Sequence, residues 1–232
     1  MSPKEPSGTL ALVGGAEWRD GCRDFDAELL ARAGDEVVVL PTAAAFEHPD
    51  RVVERATEYF SGLGASVRAL SVLRRADAED SANVTGVKDA GFVYIADGSP
   101  LHLRSALKDS ALFDAIVAAY RKGAVLAASG AGATVVCDPM VDPRGGAYTV
   151  GLGVVRDLAV FPYHGTAADH LRERSIDLLP RTATLVGLDE QTALIREPDL
   201  TWRVAGAGVA TLYDGRQTTV VEHGSKVDRL SV

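Results

Sequence analysis

The sequence predicts an α/β fold, a three-layer sandwich around a mainly parallel sheet, on three observations. Short, uniformly apolar runs recur along the chain, helical periodicity fills the gaps between them, and glycine or proline closes each run. Residues 9–15 (TLALVGG) form the first such run, and residues 20–33 follow with a helical pattern that stops at Gly34. EVVVL (36–40) is a second strand stopped by Pro41, after which Val52, Val53, Ala56, Tyr59, Phe60 and Leu63 recur at helical spacing before Gly64. Residues 65–73 are expected as a third strand, FVYIA (92–96) as a fourth and AVLAAS (124–129) as a fifth. Between the last two, Phe113, Ile116, Val117 and Tyr120 mark one apolar helix face. Residues 167–179 predict a further helix. Beyond it TLVGL, TALI, WRVAG, VATLY and TTVVE read as short antiparallel strands, with Asp214 and Gly215 at a hairpin turn, and they are expected to extend the same sheet.

With 232 residues and 47% hydrophobic content, the chain is expected to build one core: a flexible tail over 1–8 and a single α/β domain over 9–232. A net charge of -8 argues against a nucleic-acid or anionic-membrane partner. The local pairs Arg74, Arg75 and Arg172, Arg174 sit among acidic residues and read as solvated faces. Cys22 and Cys137 are too far apart in sequence for a CxxC site, so neither a disulfide framework nor zinc is expected, and both read as inert. The five histidines lack metal-site spacing, so no metal and no cofactor is expected. No stretch has the length of a membrane span and no apolar leader is visible, so a cytoplasmic location is expected.

In an open parallel sheet, ligands bind beyond the carboxyl ends of the strands, so chemistry is sought in the loops VGGAEW, LPTAAA, IADGSP and LAASGAGA. The last has the small residues of a nucleophile elbow, a strand-to-helix turn too tight for bulky neighbours. Gly14, Gly15, Ala16, Glu17 come first; then Pro41, Thr42, Ala43, Ala44; then Asp97, Gly98, Ser99, Pro100; then Ala128, Ser129, Gly130, Ala131, Gly132, Ala133. Further on stand GLGVVRDLAVFPYHG and VGLDEQTAL. In order and spacing these resemble the GGGE, PTAS, GGNP and GTSAGA motifs, the histidine segment and the GIDEDTAL segment of the cyanophycinase and dipeptidase E group of serine peptidases. The resemblance runs from Leu10 to about Tyr213 and implies the class I glutamine amidotransferase-like (flavodoxin-like) fold, a serine hydrolase site, peptide or isopeptide substrates next to acidic residues, and a homodimer.

The departures bear on chemistry. Aligned without gaps, the nucleophile position is Gly130 and the histidine position Tyr163. Glycine has no side chain to attack a carbonyl, and tyrosine, with a pKa near ~10, is a poorer base at neutral pH than histidine near ~6.5. Asp97 replaces the first glycine of GGNP, where a carboxylate would repel a developing oxyanion. The first expectation is therefore a family homologue that has lost peptidase activity and binds a small peptide-like or acidic ligand in a pocket made by Gly15, Glu17, Asp97, Gly98, Ser99, Gly130, Ala131 and Tyr163. The second is an active serine hydrolase in which one-residue shifts bring Ser129 and His164 into register, with Asp142 or Asp138 as the acid. The third is an interaction or scaffold module, favoured if Tyr163, Asp97 and Phe46 fill the space over Gly130.

Overall fold

The computed structural model describes residues 8–215, 217–227 and 230. The tail expected over residues 1–8 lies outside them except for Gly8. The central sheet has seven strands, and its parallel part consists of β1 (Leu10–Val13), β5 (Val125–Ser129), β4 (Phe92–Ile95), β2 (Glu36–Leu40) and β3 (Ser66–Ala69), side by side in that order. Strand β12 (Thr192–Arg196) runs antiparallel along the free edge of β1, and β13 (Trp202–Gly206) closes that side.

Because strand side chains alternate between faces, each buried strand feeds two cores. Ala11, Val13, Val37, Val39, Phe92, Tyr94, Val125 and Ala127 pack under α1 (Arg23–Ala33) and α2 (Pro49–Ser61). Leu10, Leu12, Val38, Leu40, Val93, Ile95, Leu126 and Ala128 pack under α5 (Pro100–Leu107), α6 (Ala111–Arg121) and α7 (Ala131–Val136). Two short helices, α3 (Arg75–Ala78) and α4 (Ser81–Gly86), occupy the connection from β3 to β4. The helices start where the sequence offers caps. Ser110 accepts a hydrogen bond from the Phe113 amide at 3.1 Å, and Ser99 accepts one from the His102 amide at 3.4 Å ahead of Pro100.

The C-terminal third differs from expectation. All five strands form, but only β12 and β13 extend the central sheet. Strands β11 (Thr184–Leu188), β14 (Ala210–Tyr213) and β15 (Thr218–Val221) join a second sheet of six, with β10 (Leu158–Phe161), β6 (Cys137–Asp138) and β9 (Val155–Arg156). The cause is β10, four buried residues that pair in parallel with β11 and draw it off the central sheet. A two-stranded ribbon, β7 (Met140–Val141) with β8 (Tyr148–Thr149), and helix α8 (Asp169–Asp177) cover this second sheet, and Tyr148 and Leu171 pack on its core. Cys137 follows α7 directly, opens β6 and is fully buried, in keeping with an inert thiol.

Candidate functional site

Strands β1, β5 and β4 are neighbours, so the loops at their carboxyl ends converge. The Gly130 amide bonds the Val13 carbonyl at 2.9 Å, the Tyr163 amide bonds the Gly14 carbonyl at 2.7 Å, and the Gln191 amide bonds the Gly15 carbonyl at 2.9 Å. Three distant stretches are thereby pinned around one point.

At that point stands Gly130, with φ 50° and ψ −108°. This is the strained turn of an elbow apex, open to glycine at least cost. The space beside it is taken. A Cβ on residue 130 would lie 2.1 Å from Asp97 Oδ1 and 2.2 Å from its Cγ. Asp97 Oδ1 accepts the Gly98 amide at 2.7 Å and the Ala131 amide at 2.6 Å, and the Tyr163 hydroxyl donates to Oδ2. Two converging amides next to an elbow are the arrangement that stabilises an oxyanion in acyl transfer. Here both are satisfied by the chain's own carboxylate. Burial, and then the charge of Asp97, push the Tyr163 phenol above its ordinary value, so it stays protonated and acts as a donor. Its ring lies on Gly15, where a Cβ would come within 2.3 Å of Cζ.

Ser129 faces the other way. It has the parity of Val125 and Ala127, so its side chain enters the layer under α1 and α2, fully buried. Its hydroxyl donates to Glu17 Oε2 at 2.9 Å. Glu17 is itself 6% exposed, and its Oε1 accepts the Asp97 amide at 3.4 Å and lies 3.8 Å from an Arg55 guanidinium nitrogen. Burial first, and the Asp97 charge second, raise the Glu17 carboxyl above its usual range.

His164 shares a 2.8 Å hydrogen bond with the Tyr213 hydroxyl and sits 3.7 Å from Asp189, with its ring over Gly187. Burial lowers its pKa. Asp142 holds Arg144 at 2.5 Å, and that guanidinium keeps its carboxyl below the usual range. Asp138 accepts the Gly151 amide at 3.2 Å. Ser129, His164 and Asp142 thus belong to three separate networks, and no hydrogen bond joins any two of them. Of the expected pocket residues, Gly15, Glu17, Asp97, Gly98, Gly130, Ala131 and Tyr163 do come together, whereas Ser99 is the cap of α5. Phe46 does not reach the site. It is 84% exposed and packs edge-on to His102.

Two cavities flank the Asp97–Tyr163 pair, and Asp97, Gly98 and Tyr163 line both. One, of about 250 Å³, is walled mainly by apolar side chains between α7, β7, β10 and α8. The other, of about 550 Å³, is polar and lined by Arg19, Arg51, Arg55, Glu17, Glu47 and Glu190. The arginines escaped the sequence reading, although Arg51 and Arg55 stand at i, i+4 on α2 and so share a face. Among the described residues no group of three His, Cys, Asp or Glu side chains could hold a metal, and no helix is long and apolar enough to cross a membrane. Cys22 is fully buried and its thiol is pushed up to about 12, by burial first and by the charge of Asp26 second.

Known proteins carry the same frame. A cyanophycinase from Geminocystis herdmanii is 25% identical over 239 residues, covering 93% of this chain and 84% of the relative. The crystal structure of a peptidase from an acI-B1 Actinobacterium superposes with a TM-score of 0.87 at 27% identity, covering 97% of this chain and 98% of that one. A putative peptidase E protein from Listeria monocytogenes shares the fold, with a TM-score of 0.64 at 16% identity over 94% of this chain and 99% of its own. Residues 10–201 match the sequence profile of peptidase family S51, and the chain belongs to that family.

Proposed function

We propose that this protein is a non-hydrolysing member of family S51 that keeps the site as a pocket for a small peptide-like or acidic ligand. One observation carries the reading: the Asp97 carboxylate occupies the volume a nucleophile's side chain would need and takes both amides that would receive an oxyanion. Acyl transfer requires an attacking group, a base beside it and free donors for the developing charge. Gly130 supplies no attacking group, the raised phenol of Tyr163 is no base at neutral pH, and the donors are engaged. An acidic group on the ligand is best served by the polar cavity, where Arg51 and Arg55 stand on the face of α2.

The test is a hydrolysis panel of aspartyl dipeptides, β-aspartyl-arginine and activated esters, alongside a melting-temperature screen with the same compounds. The reading expects no product from any of them and a stabilising shift from at least one acidic dipeptide, lost in Arg51→Ala/Arg55→Ala. Turnover that disappears in Ser129→Ala would establish instead a serine hydrolase using Ser129. An absence of both turnover and ligand shift would leave the family fold serving as an interaction module.

A further inference from the structure

We propose that the apolar cavity beside Asp97 is a binding site for a small primary amine with an apolar body. The inference rests on the non-hydrolysing reading, because it takes the Asp97 carboxylate as the permanent floor of the site rather than an obstruction to chemistry.

The cavity wall is made by Pro100, Val141, Phe161, Pro162, Ala167 and Leu171, with Thr134 and Ala131 behind them. Its volume of about 250 Å³ falls just under the roughly 300 Å³ at which drug-sized sites begin, so it suits a fragment no larger than one or two side chains. Such a wall rewards an apolar body through the area it removes from water.

The polar end of the cavity selects charge. Asp97 enters none of the ion pairs formed among the described residues, so its charge has no cation beside it. Asp142, the other carboxylate on the wall, is already paired with Arg144. Oδ1 of Asp97 is committed to two amides, but Oδ2 has one donor, the Tyr163 hydroxyl, and a carboxylate oxygen accepts about two. One acceptor position therefore remains on a carboxylate held by three donors and paired with no cation among the described residues. An ammonium group is the partner that fits it, through a charge-assisted hydrogen bond in a low-dielectric setting. An anion is disfavoured at this end, since the two amides that would hold it already donate to Asp97 Oδ1.

Titration calorimetry and amide chemical-shift mapping with benzylamine, benzyl alcohol and benzoate test the proposal on the full chain. Benzylamine is expected to bind with a Kd of roughly 0.1–3 mM. It should perturb the amides of Ala131, Thr134 and Ala167, with the alcohol and benzoate roughly tenfold weaker or worse. Asp97→Asn keeps the shape and the amide acceptor, so it should fold and lose the amine preference. Leu171→Trp fills the cavity without touching Asp97 and should abolish binding of all three compounds. Benzoate binding as tightly as benzylamine, or an amine affinity unchanged by both substitutions, would overturn the assignment. The hydrolysis panel separates the two readings. No amine binding with no turnover sinks this inference alone, whereas Ser129-dependent turnover sinks the reading beneath it.

Discussion

Replacing Gly130 by alanine and Asp97 by alanine, singly and together, measures how tightly the filled elbow is locked. A Cβ at 130 would stand 2.1 Å from Asp97 Oδ1, far inside contact distance, so Gly130→Ala must expel the carboxylate from the Gly98 and Ala131 amides. Hydrogen bonds to a charged group contribute about 1.5–3 kcal/mol each, and water recovers part of that at a cavity mouth. A non-glycine residue at φ 50° and ψ −108° adds about 1–3 kcal/mol of backbone strain. The single Gly130→Ala variant should therefore lose about 3–6 kcal/mol in urea unfolding followed by circular dichroism. Asp97→Ala alone leaves two amides to water and should lose about 1–3 kcal/mol. In the double variant the new methyl group enters vacated space, and only the backbone strain is added. The losses should then fall short of the sum by about 2–4 kcal/mol. Additivity within about 0.5 kcal/mol would refute the claim that the two residues share one volume.

Other consequences follow from burial. Asp26 is fully buried, bonded by the Tyr59 hydroxyl at 3.0 Å, and its pKa is raised by burial to about 8 from the ordinary 3.8. The folded state holds this proton where the unfolded chain has released it, so stability falls as pH rises from about 4 to about 8, by up to ~1.4 kcal/mol per unit. Asp26→Asn should remove that slope in urea titrations between pH 5 and 8, and an unchanged slope would show the group ionised in the fold. Cys22 and Cys137 are both fully buried with thiols pushed up to about 12, so neither should react with a disulfide reagent at pH 8 until denaturant is added. Tyr163→Phe removes the donor to Asp97 Oδ2 while keeping the ring on Gly15, and should cost about 1–2 kcal/mol in the same unfolding assay.

The elbow was legible in sequence because its requirement is local: a turn this tight admits only small residues, and LAASGAGA is made of them. The direction of Ser129 follows from its parity with Val125 and Ala127 within β5, and it favours Gly130 as the apex. Asp97 was flagged as hostile to an oxyanion, but its entry into the anion site depends on a side-chain rotamer and on the Ala131 amide 34 residues away, which no local pattern carries. The same holds for His164, whose partner Tyr213 comes from a strand 49 residues on. The second sheet escaped because LAVF is a four-residue buried run without alternation, and its pairing with β11 is set by tertiary contacts rather than by periodicity.

If the chain's own carboxylate fills the elbow and Ser129, turned beneath the sheet, takes no part in chemistry, a serine-directed reagent should find no nucleophile. Intact mass and peptide mapping after incubation with a serine-directed fluorophosphonate test it directly, with an Asp97→Gly/Gly130→Ser/Tyr163→His variant treated in parallel. The wild-type mass should be unchanged, while the variant, with its amides freed and a hydroxyl and imidazole restored, should take up one adduct at residue 130. An adduct on Ser129 of the wild-type protein would show instead that Ser129 is a working nucleophile.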